Sequence, residues 1–125
     1  MTKGELARQN FDAGMNCAQA VVLAFKDEMN MDESALKKLI IGFGGGFGRQ
    51  HLVCGAVCGM TMVLSYLKSD GKDKLASYEV IRRACSEVKE RIGSLICCEL
   101  MGANKIPCAE ICQIVADITQ KNLEI

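Results

Sequence analysis

The sequence has no tryptophan, one proline, one histidine and few aromatic residues, and its charges cancel. Each scarcity removes a class of function. Lys plus Arg and Asp plus Glu stand at 15 each, so no basic surface draws the chain to nucleic acid or an anionic membrane. The few aromatics leave no stacking platform for bases. A single histidine offers no Ser–His–Asp set, and no pair of carboxylates stands out, which disfavours conventional hydrolase chemistry. No apolar run reaches membrane-spanning length, and the first ten residues carry no apolar signal-peptide core. The expectation is a cytoplasmic protein with no nucleic-acid or membrane partner. At 125 residues, half of them hydrophobic, the chain suits one domain spanning residues 1–125.

Against these scarcities stand eight cysteines. A reducing cytosol does not usually sustain structural disulfides, so thiols at this density point to metal binding or redox chemistry. Their ordinary alternative is service as small apolar core residues. No Cys-x-x-Cys occurs, nor any ferredoxin-type run or zinc-knuckle spacing. Cys54 and Cys58, like Cys108 and Cys112, are four residues apart. A metal would therefore draw its ligands from distant parts of the chain.

Hydrophobic periodicity predicts an all-α protein, a compact bundle of about five to six helices with a glycine-rich loop. A first helix covers residues 3–12. Asn16 caps a second, which carries Ala18, Val21, Val22, Phe25 and Met29 at helical spacing. Asp32 caps a third with Leu36, Leu39 and Ile40 inward. The loop is residues 42–48, Gly-Phe-Gly-Gly-Gly-Phe-Gly. Helices over about 55–67 and 74–92 follow, the latter with Leu75, Tyr78, Val80, Ile81, Ala84, Val88 and Ile92 on one side. Gly93 and Ser94 interrupt, residues 95–101 form a short helical piece, and Gly102 with Asn104 ends it. The last helix starts near Pro107 and runs to about residue 122.

The cysteines fall at particular places on these elements. Cys17 follows the cap Asn16, Cys54 sits where the glycine loop meets a helix, and Cys108 follows Pro107. Helix N-termini carry free N–H groups and partial positive charge, which favour a thiolate or an anionic metal–thiolate centre. Cys112 lies one turn beyond Cys108 on the same face. The glycine loop completes no Gly-x-Gly-x-x-Gly register and no Gly-Lys-Ser/Thr follows it, so a nucleotide site is disfavoured. Gly44, Gly45, Gly46 and Gly55 are instead expected to let the backbone come close to a cofactor or a neighbouring helix. His51 is a candidate ligand or proton donor beside Cys54, and Arg49 a candidate partner for a thiolate or an anion. The methionines, Met101 among them, are expected to pack the core or its edge, and Cys85 to be a core residue.

Five stretches then act together. They are Gly14-Met15-Asn16-Cys17-Ala18-Gln19-Ala20-Val21, Phe43-Gly44-Gly45-Gly46-Phe47-Gly48-Arg49 and Cys54-Gly55-Ala56-Val57-Cys58-Gly59, then Cys97-Cys98-Glu99-Leu100-Met101-Gly102 and Cys112-Gln113-Ile114-Val115. In this order the set resembles the C_GCAxxG_C_C family, which is assigned a redox role from its cysteines. The resemblance runs over nearly the whole chain. It implies a helical domain whose motif cysteines are Cys17, Cys54, Cys97 and Cys112, with Cys108 as the alternative for the last. Cys58, Cys85 and Cys98 fall outside the pattern. Relatives of the domain occur near redox proteins with haem and iron–sulfur centres, which implies an iron–sulfur cluster held by these thiols for electron transfer. A thiol–disulfide oxidoreductase, with Cys17 or Cys54 attacking, and a structural zinc protein are the alternatives. A redox partner protein is implied, and a homodimer fits a small apolar helical domain.

Overall fold

The computed structural model describes residues 1–101 and 106–125. The proposed helix end at Gly102 and Asn104 lies outside the described residues. Side-chain caps written into the sequence set four helix starts among the described residues. Thr2 and Glu5 form a capping box for α1 (Lys3–Asp12), and Asn16 and Gln19 do the same for α2 (Cys17–Leu23). Asp32 caps α4 (Glu33–Ile40) and Asp73 caps α7 (Lys74–Ile92). The remaining segments are α3 (Lys26–Met29), a 3-10 turn (Ile41–Phe43), α5 (Gly44–Phe47), α6 (Gly55–Lys68), α8 (Cys97–Leu100) and α9 (Cys108–Leu123). Among the described residues there is no strand, only an isolated antiparallel bridge between Val53 and Ile96.

The all-α expectation holds, but the segments outnumber the five or six expected. The helix expected through Met29 breaks after Leu23. The amides of Ala24 and Phe25 bond three residues back, to Val21 and Val22, which tightens the last turn. The chain then turns so that Phe25 is fully buried. Lys3 Nζ donates to the freed carbonyl of Ala24 at 3.1 Å and lies 5.3 Å from the Phe25 ring centroid. Nor is the glycine stretch a plain loop. It forms the 3-10 turn and α5, kinked where Gly45 (φ 65°) and Gly46 (φ 72°) adopt left-handed backbone.

Helix α2 is the centre of the core, with every residue from Ala18 to Phe25 buried. Helices α1, α4, α6 and α9 pack around it. Two apolar faces are narrower than their periodicity suggested. On α4, Leu36 and Ile40 are buried about 40° apart around the axis, while Leu39, about 100° from Ile40, is exposed. On α7, burial begins with Val80 and Ile81; Leu75 and Tyr78 are exposed. The first turns of α7 stand off α6, leaving a cleft that includes Thr61, Ser65 and Tyr78.

Close approach of α6 to α2 positions the cysteines. A Cβ at Gly59 would stand 2.9 Å from the carbonyl oxygen of Ala18, so glycine is required for the two backbones to meet. Gly59 and the buried Ala56 therefore belong to a helix-packing surface. Its upper end carries Cys54 and faces Cys17.

Candidate thiol site

Four cysteines sit at helix starts. Cys17, Cys97 and Cys108 are the first residues of α2, α8 and α9, and Cys54 is the N-cap of α6. Pro107 is the residue before α9 rather than its first residue, with ψ 142°. Cys97 was expected inside a helical piece; α8 instead begins at it.

These four thiols line one cavity of about 60 Å³. Gly45 and Gly55 form part of its wall, and Leu100, Met101, Ile106 and Ile111 complete it. Cys112 does not line it. It is fully buried one turn deeper in α9, its thiol 3.9 Å from the carbonyl of Cys17. Cys58, Cys85 and Cys98 also lie off the cavity, Cys98 exposed and Cys85 packed against the core. Cys58 lines a separate apolar cleft of about 620 Å³ together with Phe43 and Phe47.

The glycines act at specific contacts. A Cβ at Gly55 would overlap Cys17 Sγ, and one at Gly44 would overlap the Asn16 amide that caps α2. One at Gly46 would stand 2.6 Å from the backbone nitrogen of Leu52. Gly55→Ala is therefore expected to destabilise the protein by about 1–3 kcal/mol through overpacking. Urea denaturation of the reduced protein measures it.

Beyond Gly46 the left-handed backbone continues through residues with side chains. Phe47 (φ 66°), Arg49 (φ 64°) and His51 (φ 60°) all adopt it, at about 1–2 kcal/mol each. The segment is tied down by His51 N–H donating to the Gly45 carbonyl at 3.1 Å and Leu52 N–H to Gly46 at 3.2 Å. It then pairs with the start of α8. Cys54 N–H donates to Leu95 at 2.8 Å, Cys97 N–H to Leu52 at 2.6 Å and Cys98 N–H to His51 at 3.1 Å. This pairing carries His51 to Cys97, with Nδ1 to Sγ 3.6 Å, rather than to Cys54 as expected. Nothing in the local sequence marks a single bridge of this kind. Arg49 is exposed, its side chain crossing Gly45. Met101, expected in the core or at its edge, is half-exposed at the cavity rim, with Sδ 3.9 Å from Cys97 Sγ.

Burial reverses the expected effect of the helix ends at Cys54, Cys97 and Cys108. Desolvation pushes Cys54 up to about 12, Cys17 and Cys97 add to the rise, and the amides of Val57 and Ala56 only partly oppose it. Burial, then Cys17, Cys54 and Cys108, push Cys112 well above the ordinary thiol range. Cys97 and Cys108 also rise, through burial first and then neighbouring thiols. All eight cysteines are free. In the metal-free state the cavity thiols that shift therefore hold their protons, and buried Cys54 is a poor attacking nucleophile.

Compared with known families, residues 15–122 match the family model described as "Putative redox-active protein (C_GCAxxG_C_C)". The chain belongs to the C_GCAxxG_C_C family. The match covers all eight cysteines and the left-handed glycine segment. No curated protein and no solved structure matches the chain. Membership of the C_GCAxxG_C_C family brings a redox role and a cysteine-rich helical domain. Among the described residues no helix is long and apolar enough to cross a membrane.

Proposed function

We propose that the protein is an electron carrier whose redox centre is an iron–sulfur cluster held by Cys17, Cys54, Cys97 and Cys108. One observation carries this reading: four thiols from four separate elements line a single small cavity. Among the described residues, no three of His, Cys, Asp and Glu stand close enough to share one metal ion. A cluster spreads its thiolates over several irons and tolerates wider spacing than one ion does. The redox description of the family favours a cluster over a structural zinc site, since zinc carries no electrons.

The donor set suits the group. Thiolates are its usual ligands, and one-electron transfer is the chemistry it supplies when bound. The shifted thiols are protonated without metal, so loading releases protons. The N-terminal amides of α6 face Cys54 and offset negative charge there. Gly55 leaves the space in which Cys17 Sγ sits, and Leu100, Ile106 and Ile111 limit water around the sulfurs.

Cys108 takes the fourth place because it borders the cavity, whereas Cys112 points its thiol at the Cys17 carbonyl. Anaerobic purification followed by iron and acid-labile sulfide determination tests the reading. Brown protein with both in matched, stoichiometric amounts is the expected result. Colourless protein carrying stoichiometric zinc overturns it.

A further inference from the structure

His51 lies outside the four thiols, yet the fold spends backbone strain to hold it beside one of them. Its φ of 60° is a conformation that glycine adopts freely and histidine does not. Backbone hydrogen bonds fix it on both sides, His51 N–H to Gly45 and Cys98 N–H to the His51 carbonyl, each 3.1 Å. The ring that results stands with Nδ1 3.6 Å from Cys97 Sγ. The ring is not part of the core; His51 is exposed. The strained backbone therefore finds its counterpart in the sulfur contact, as strain at functional sites commonly does.

We propose that His51 is a positioning and tuning residue for the redox centre, its Nδ1–H donating a hydrogen bond to the Cys97 sulfur. This rests on the reading of Cys97 as a ligand. A ligating Cys97 is a thiolate and can only accept, so the proton belongs on Nδ1. The bond strengthens as the sulfur gains negative charge. It therefore stabilises the reduced centre more than the oxidised one and raises the potential. The same contact holds the Cys97 side chain toward the cavity. Met101 Sδ lies 3.9 Å from the same sulfur, and the thiols of Cys17, Cys108 and Cys98 stand near enough to act on it.

The test is the midpoint potential of the full-length protein, reconstituted anaerobically with ferrous iron and sulfide, in wild type and His51→Gly. Glycine accepts the left-handed backbone, so the variant removes the ring without adding strain. The expected result is a centre of unchanged iron and sulfide content. Its oxidised-to-reduced ratio shifts about tenfold toward oxidised, a one-electron drop on the order of 59 mV. A centre with unchanged potential overturns the role of His51 and leaves the iron–sulfur reading standing. A variant that no longer assembles the centre, while wild type does, overturns it in favour of direct ligation by His51. Failure of the wild type to assemble any centre overturns the iron–sulfur reading itself.

Discussion

Replacing Cys108 with alanine is expected to abolish assembly of the proposed iron–sulfur centre, while replacing Cys112 with alanine is expected to leave its iron and sulfide content unchanged. The two residues lie one turn apart on α9, and the family resemblance alone points to Cys112. The structure separates them by depth. Cys108 is the first residue of α9, exposed at the mouth of the cavity. Cys112 has no exposed surface and packs in the core beneath Cys17. Alanine at 108 removes a ligand without leaving a core cavity. The expected loss of iron affinity exceeds about 100-fold, beyond what removing an outer-shell contact costs. Alanine at 112 leaves a small void, with a stability loss of about 1 kcal/mol, and spares the site. Iron and sulfide analysis of the two variants, beside urea melts of both, checks the prediction. The reverse pattern would assign the fourth place to Cys112.

The metal-free, reduced protein is expected to lose stability steeply above about pH 9. A thiol whose pKa is raised on folding binds its proton more tightly in the native state. Its contribution is complete below the unfolded-state pKa and disappears as pH rises toward the folded one. For Cys54 that window runs from the ordinary value of 9.0 to about 12. Across it the unfolding free energy falls by about 1.4 kcal/mol per pH unit for each such thiol. Between pH 8 and pH 11 the loss from Cys54 alone is about 2.7 kcal/mol. Cys112, still more strongly raised, adds a comparable fall. Urea unfolding in deoxygenated, phosphine-reduced buffer at pH 8, 9.5 and 11 measures the slope. Cys112→Ala should flatten it by about one thiol's share. A flat profile would show that these thiols are not buried as protonated groups. The Cys54 proton also leaves on metal loading, so iron affinity should rise with pH over this range.

Local chemistry made much of this site legible in the sequence. Asn16 three residues before Gln19 wrote the start of α2, so Cys17 at its first turn could be read directly. The glycine run before Cys54 and the proline before Cys108 marked two more starts. What stayed hidden depends on tertiary packing. The break after Leu23 has no glycine or proline and exists because Phe25 is buried. Leu39 and Leu75 follow helical spacing, but the faces they extend are wider than the partners that cover them. The meeting of His51 with Cys97 depends on one antiparallel bridge between residues far apart in sequence. Local pattern cannot indicate depth on a single helix face, and depth is what distinguishes Cys108 from Cys112. The lowering of thiol pKa expected at the starts of α6 and α9 failed for a related reason. Periodicity places a thiol at a helix end but does not show how much protein covers it.

The central claim is that thiols from α2, α6, α8 and α9 surround one multi-iron centre. Iron-edge X-ray absorption on anaerobically reconstituted wild-type protein tests it most directly. The account predicts sulfur neighbours at each iron together with a distinct iron–iron shell, and the loss of both in Cys108→Ala. Iron surrounded by oxygen or nitrogen alone, or by sulfur with no iron–iron shell, would contradict it.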